Sequence, residues 1–221
     1  MNTHLTRPAL SILGVAAALA SGCAATLQTS DEGGPSRLGS LAADDGASQV
    51  VDPAVFDEPV SERIPIAGSD FVRGRARVVV HAPIERVRAT LYDFKSYPEF
   101  MPYWDTARVV GKKPGGAHEV YMSVKLLYGA LRLWARLDFP RPTVVDGVEV
   151  IEERYLEGNL KELEGRWQLR AIDHDRCEVT VEVLMLPKMP LPLELVNNGQ
   201  EDGARMLVDA VRLRAEGRDD G

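Results

Sequence analysis

Several carboxylates and one arginine lie close together between residues 152 and 164. They are Glu152, Glu153, Arg154, Glu162 and Glu164. Paired carboxylates can carry out general acid–base chemistry. The segments that hold these residues read as neighbouring strands of an antiparallel sheet, where charged side chains more often pair across strands on the solvated face. We therefore predict surface charge pairs here rather than a catalytic site.

Other signatures of chemistry are missing from the sequence. It contains no Gly-x-Ser-x-Gly nucleophile motif, no glycine-rich phosphate loop and no Cys-x-x-Cys pair. The histidines are His4, His81, His118 and His174, and none of them forms a helical pair that could bind a metal. We expect no catalytic residue, no metal site and no cofactor.

Cys23 follows an apolar segment near the N-terminus. Residues 1–8 are short and polar, and residues 9–20 are apolar but too few to span a bilayer as a stable helix. Small residues precede the cysteine, and the arrangement resembles a bacterial lipoprotein signal. The resemblance implies removal of residues 1–22, lipidation of Cys23 and a membrane-anchored protein of the bacterial cell envelope, facing the periplasm or the outside. Ordinary secretion with an unmodified Cys23 is the alternative.

Composition narrows the choice of partners. The chain of 221 residues has 26 Lys and Arg against 33 Asp and Glu, a net charge of −7. An acidic chain is poorly suited to sequence-independent nucleic-acid binding or to electrostatic docking on anionic lipid, so membrane attachment would rest on the acyl chains. Cys177, the second cysteine, has no disulfide partner if Cys23 is acylated, and its apolar context predicts a small buried side chain.

The chain divides by composition near Phe71. Residues 23–70 are rich in Gly, Ser, Ala, Asp and Pro, which predicts a flexible tether. Within it, residues 50–66 have more apolar character and could pack as an arm. We expect one folded domain over residues 71–217 and a disordered tail over residues 218–221.

The pattern of the folded domain is that of an α+β protein. Residues 72–81 alternate as a strand, Pro83 suits the first turn of a helix, and a second short helix or turn is expected at residues 99–103. Short alternating segments separated by turn residues predict an antiparallel sheet. These segments cover residues 106–112, 119–127, 131–139, 148–155, 160–172 and 176–186. Residues 193–216 then form a helix about 35 Å long.

This order of elements resembles the helix-grip fold of the START-like (SRPBCC) superfamily. The resemblance is carried by residues 78–104, by Gly165-Arg166-Trp167, which is similar to the Gly-x-Trp strand of the polyketide-cyclase and coenzyme-Q-binding branch, and by the prolines of residues 189–192. It implies a curved antiparallel sheet wrapped around a long C-terminal helix, with two short helices after the first strand. It also implies a cavity between that helix and the inner sheet face, holding one hydrophobic ligand.

Alternation predicts which side chains face this cavity. The candidate ligand-binding residues are Met122, Val124, Leu126, Leu133, Leu137, Trp167, Val181, Val183, Gly199, Gly203 and Met206. The two glycines either leave room for a ligand or allow the helix to approach the sheet closely. Tyr103 and Trp104 are expected near the cavity mouth, and Asn197 and Asn198 either offer polar contacts or face solvent. A filled core with no cavity is the alternative.

The resemblance favours a binding protein over an enzyme. The expected ligand is a hydrophobic small molecule, either a lipid or a quinone-like isoprenoid, which the protein would carry or sequester. One alternative is a polyketide cyclase/dehydratase-like enzyme, which would need Tyr, Arg or carboxylate groups clustered inside the cavity. Another is a cavity-less scaffold that binds other proteins. The sequence leaves the oligomeric state open.

Overall fold

The computed structural model describes residues 57–218, which form a nine-stranded sheet and three α-helices. The strands are β1 Val60–Pro65, β2 Val72–Val80, β3 Trp104–Lys112, β4 His118–Leu126, β5 Leu131–Phe139, β6 Thr143–Val145, β7 Val148–Gly158, β8 Leu160–Ala171 and β9 Cys177–Pro187. The helices are α1 Ile84–Tyr92, α2 Tyr97–Phe100 and α3 Leu193–Glu216. The predicted signal, Cys23, the tether up to residue 56 and residues 219–221 of the predicted tail lie outside the described residues.

The sheet is antiparallel and curved around α3. Its strand order is β1-β2-β9-β8-β7-β5-β4-β3, and β6 pairs with β7 beside this path. The short helices α1 and α2 connect β2 to β3, and α3 follows the last strand. The α+β class and the helix-grip architecture predicted from the sequence are therefore confirmed.

Most predicted elements agree closely with the observed ones because their inner faces are apolar. In β5, the alternate residues Leu131, Leu133 and Leu137 are buried, and this strand has the predicted bounds. Helix α2 begins at Tyr97, two residues before the predicted start, because Pro98 fits the first turn of a helix. Strand β6 has three exposed residues and no pattern to predict it.

Strand β1 lies inside the stretch that we expected to be a tether. It pairs with β2 from Val60 opposite Arg77 to Pro65 opposite Val72. Its polar side chains also have partners, since Arg63 Nε lies 2.8 Å from an oxygen of Glu201 on α3. Ordered structure therefore begins before residue 71, where a strand without hydrophobic alternation is added to the edge of β2.

Helix α3 approaches the sheet most closely at a strand glycine. A Cβ atom built on Gly74 of β2 would lie 1.9 Å from the backbone oxygen of Gln200, so this position accepts glycine alone. Cβ atoms built on Gly199 and Gly203 would meet nothing within 4 Å. Of the two explanations offered for the helical glycines, close approach to the sheet is wrong, because open space surrounds both.

Two side-chain amides of α3 replace the sheet hydrogen bonds where β2 and β9 separate. Pairing of these strands stops at Gly74 of β2. Beyond that point, the backbone N–H of Val72 donates to Asn197 at 3.2 Å. Gln200 accepts from the N–H of Met185 at 2.9 Å and donates to its carbonyl at 2.8 Å. Buried backbone groups need such partners, so Asn197 and Gln200 hold the start of α3 between the two strands.

Residues 57–218 also show whether a helix could span a membrane and where Cys177 lies. None of the helices there, α3 included, has the length and apolar character needed to cross a bilayer. Cys177 is fully buried in the core, and its burial raises the pKa of the thiol to about 12. It therefore packs as a small apolar side chain.

Candidate functional site

A cavity lies between the inner face of the sheet and the side of α3. The volume open to the centres of water-sized molecules is about 80 Å³, and the cavity is partly open to solvent. Leu207 contributes from α3, Tyr97 from α2, Met101 from the segment that leads into β3, and Trp104 from the start of β3. The space is concave and mostly apolar, as small-molecule sites are, but it is smaller than the roughly 300–1,000 Å³ that such sites usually have.

Seven of the eleven predicted ligand-binding residues line the cavity. They are Met122, Val124, Leu133, Leu137, Trp167, Val181 and Val183. All seven come from β4, β5, β8 and β9, where every second side chain faces inward.

The other four predicted residues lie elsewhere. Leu126 packs against the core at the end of β4. Gly199, Gly203 and Met206 are on α3 but do not line the cavity, whereas Leu207 does. One residue corresponds to about 100° of rotation around a helix, so an error of one position changes the face.

Trp104 lines the cavity, and Tyr103 beside it is exposed.

The hydroxyl of Tyr97 donates to the backbone oxygen of Leu91 at 2.6 Å. Burial, followed by the nearby charge of Glu153, raises the pKa of Tyr97 well above its ordinary value. This hydroxyl therefore stays protonated and is already committed to the backbone.

Glu153 is the carboxyl group that sequence reasoning assigned to the wrong face. Its Oε1 accepts a hydrogen bond from the indole Nε1 of Trp167 at 2.9 Å. Gly165 lies directly across the strand pair from Glu153, and a Cβ atom there would come within 2.5 Å of Oε2. The Gly-x-Trp motif therefore leaves room for the carboxyl group and also supplies its hydrogen-bond donor.

The electrostatics of Glu153 follow from this setting. Burial raises the pKa of its carboxyl group above the ordinary value, and the hydrogen bond from Trp167 offsets part of that shift. Glu153 and Gly165 also line a second, charged cleft, which they share with Glu152, Glu164 and Arg166. The carboxyl group thus lies where an apolar space meets a polar one.

Two of the neighbouring carboxylates form the expected charge pairs. Glu152 lies 3.5 Å from Arg166 and Glu164 lies 2.5 Å from Arg73. Glu153 differs because β7 alternates, so it faces inward with Ile151. In the sequence, two features indicate that Glu153 faces inward. It lies two residues after Ile151 on an alternating strand, and Gly165 and Trp167 lie on the opposing strand.

The remaining polar candidates have structural roles. Asn197 is buried and bonded to β2, and Asn198 is exposed and accepts a hydrogen bond from Arg63 at 2.6 Å. Among residues 57–218, no three His, Cys, Asp or Glu side chains are grouped so as to hold a metal ion.

Comparison with known proteins gives matches to one family and one fold. The model of a family described as "Polyketide cyclase / dehydrase and lipid transport" matches residues 80–212. The ribosome association toxin RatA of Pseudomonas aeruginosa is 28% identical over 124 residues, which cover 56% of this chain and 81% of that protein.

Two solved structures share the fold at low sequence identity. A STAR-related lipid transfer protein fragment from Xanthomonas axonopodis superposes with a TM-score of 0.63 and 17% identity, covering 72% of this chain and 94% of that one. Human StAR-related lipid transfer protein 5 gives a TM-score of 0.62 and 7% identity, covering 73% of this chain and 83% of that one.

Proposed function

This chain belongs to the polyketide cyclase / dehydrase and lipid transport family of the START-like superfamily, and on that premise we propose that it binds one hydrophobic small molecule. The observation that carries the proposal is the partly open apolar cavity between the sheet and α3. A lipid or a quinone-like isoprenoid has the apolar surface that such a space buries. At about 25 cal/mol per Å², each ~100 Å² of ligand surface hidden in the cavity would contribute about 2.5 kcal/mol before ordering costs.

We propose further that the protein is a lipoprotein of the bacterial envelope, anchored through Cys23, that carries or sequesters this ligand. The support is the apolar segment and the small residues that precede Cys23. The net charge of −7 favours this role over binding to nucleic acid. Metabolic labelling with an alkyne fatty acid should mark the wild-type protein and not Cys23→Ser. Equal labelling of both would overturn the anchor.

Native mass spectrometry of the full chain, purified from a bacterial host, tests ligand binding directly. We expect a stoichiometric apolar adduct that organic extraction releases for identification. In Leu133→Trp the larger ring fills the cavity, and the adduct should be lost. Val109→Trp is the matched control, because Val109 is 42% exposed. An empty wild-type protein that also takes up no added lipid or quinone would contradict the proposal.

A polyketide cyclase/dehydratase-like activity is the second candidate, and the inward-facing Glu153 is the observation that favours it. A carboxyl group with a raised pKa suits general acid–base work. Tyr97 and Trp167, its polar neighbours in the cavity, already donate their protons to Leu91 and to Glu153 itself. Conversion of an aromatic-polyketide precursor by the wild-type protein, and its loss in Glu153→Gln, would support this candidate.

A further inference from the structure

We propose that Glu153 makes the cavity selective for apolar molecules whose inserted end donates a hydrogen bond, a hydroxyl or a protonated amine, and excludes those that end in a carboxylate. This inference rests on the proposed function, because it names the chemistry of the ligand that the cavity takes. The proposal specifies the chemistry of the ligand end that meets the sheet and does not specify the apolar part of the ligand.

Glu153 can accept more hydrogen bonds than it does. Trp167 donates to Oε1, and among residues 57–218 no second group donates a hydrogen bond to this carboxyl. The absence of a side chain at Gly165 keeps Oε2 clear on the neighbouring strand. Glu153 is half-buried and lines both the cavity and the charged cleft, so a ligand hydroxyl or ammonium group can donate to its second oxygen in place of water.

The other hydroxyl groups that line the cavity already have partners. The hydroxyl of Tyr97 donates to Leu91. Ser123, which also lines the cavity, has its hydroxyl oxygen 3.4 Å from Asp105. A donor for Glu153 therefore has to come from the ligand.

The charges around Glu153 disfavour an anionic ligand. No lysine, arginine or histidine within the described part of the chain lines the cavity. In the adjoining cleft, Arg73 and Arg166 are already paired with Glu164 and Glu152, so a ligand carboxylate would lie beside another carboxyl group without a cation of its own. Burying two like charges together is strongly unfavourable, so fatty acids are the wrong ligands even though their chains are apolar.

The test compares octanol, octylamine and octanoate, which share a chain and differ at one end. Binding to the full chain is measured by displacement of a fluorescent apolar probe at pH 7.5. We expect octanol and octylamine to bind wild type about tenfold more tightly than octanoate. In Glu153→Gln the side-chain amide can donate to a carboxylate, so octanoate should gain affinity and octylamine should lose it.

Glu152→Gln is the matched control, because Glu152 is the adjacent residue and is exposed beside Arg166. It should keep the wild-type order of the three ligands. If Glu153→Gln does not fold, Glu153→Met removes the carboxyl group and should narrow the difference in affinity between octanol and octanoate, leaving only the cost of desolvating the ligand carboxylate.

Three results would overturn the inference. Equal binding of all three ligands to wild type, or an unchanged order in Glu153→Gln, would overturn the selectivity and leave the proposed function standing. Failure of every ligand and of the probe to bind would overturn both.

Discussion

The indole N–H of Trp167 donates a 2.9 Å hydrogen bond to the carboxyl group of Glu153 across neighbouring strands of the inner sheet face. This contact gives a physical meaning to two sequence features that looked unrelated. One is the Gly-x-Trp motif of β8, and the other is the acidic stretch of β7. Together they place a carboxyl group in a mostly apolar cavity.

Replacing Trp167 by Phe tests how much this hydrogen bond stabilises the protein. The benzene ring keeps most of the apolar contacts, but Glu153 loses its donor. We expect the free energy of unfolding to fall by about 1–3 kcal/mol at pH 8, measured by urea denaturation. In the Glu153→Met background the cost should be smaller, because the acceptor is already gone.

Trp134→Phe is the control for a change of ring alone. Trp134 stacks on Tyr121, with the ring centroids 6.0 Å apart, and a benzene ring can retain that contact. Its effect should stay within about 0.5–1 kcal/mol. An equal loss in the two variants would show that ring packing, rather than the hydrogen bond, sets the cost.

The pH dependence of stability should report the buried carboxyl group. Burial raises the pKa of Glu153 in the folded protein above the ordinary 4.5, so the native state holds this proton more tightly than the unfolded chain does. As the pH rises from about 4.5 through the native pKa, wild type therefore loses stability relative to Glu153→Gln. Below about pH 4.5 the difference in stability between wild type and Glu153→Gln is constant.

Urea denaturation between pH 4 and pH 8 measures this difference. In the cavity Glu153 faces Trp167, which does not titrate, and Tyr97, whose raised pKa keeps it neutral throughout this range. On the cleft side it faces Glu182 and the charge pairs Glu152–Arg166 and Glu164–Arg73. Glu152→Gln should lack the effect, because Glu152 is exposed. A wild-type protein that gains stability over Glu153→Gln with rising pH would contradict the burial argument.

Two glycine-to-alanine substitutions should change the free energy of unfolding in opposite directions. In Gly165→Ala the new methyl group would lie 2.5 Å from Oε2 of Glu153, so the carboxyl group must move. We expect a loss of about 1–3 kcal/mol in the free energy of unfolding and a change in ligand preference.

Gly199→Ala is the opposite case. Its methyl group would meet nothing within 4 Å, and Gly199 lies inside α3. Alanine favours a helix interior over glycine by about 0.5–1 kcal/mol, so this variant should be more stable than wild type. Thermal denaturation of both variants measures whether each is more or less stable than wild type. Destabilisation by Gly199→Ala would mean that the position has a contact or a role in function.

Most of the architecture was predictable because the signals are local. Alternation in β5 and helical spacing in α3 gave the bounds of both elements, since burial on one face imposes a period on the sequence. The order of elements then gave the fold. Seven inward residues followed from the same alternation.

The residues that were missed depend on contacts between distant segments. Glu153 lies among consecutive charged residues, so its inward position follows only from its parity with Ile151 and from Gly165 and Trp167 on the opposing strand. The phase of α3 placed Leu207 rather than Met206 at the cavity, and that phase is set where Gln200 meets Gly74. Such a contact joins residues far apart in the chain, so a local pattern does not contain it.

Gln200→Leu tests whether α3 is held in place by the hydrogen bonds that replace the β2–β9 ladder. The substitution keeps a side chain of similar size but leaves the backbone N–H and C=O of Met185 without partners. Each unsatisfied buried group costs about 1–3 kcal/mol, so we expect a loss of at least about 2 kcal/mol in the free energy of unfolding. Hydrogen exchange adds a local readout, because the Met185 amide should lose its protection.

Asn198→Ala is the matched control on the same turns of α3. Asn198 is exposed and bonded to Arg63, so its removal should leave the Met185 amide protected. Met185 also lines the cavity, so the Gln200→Leu variant should bind the apolar probe more weakly as well. Unchanged exchange at Met185 in Gln200→Leu would mean that β9 holds its position without the helix, and that α3 lies over the cavity without being fastened to the strands beside it.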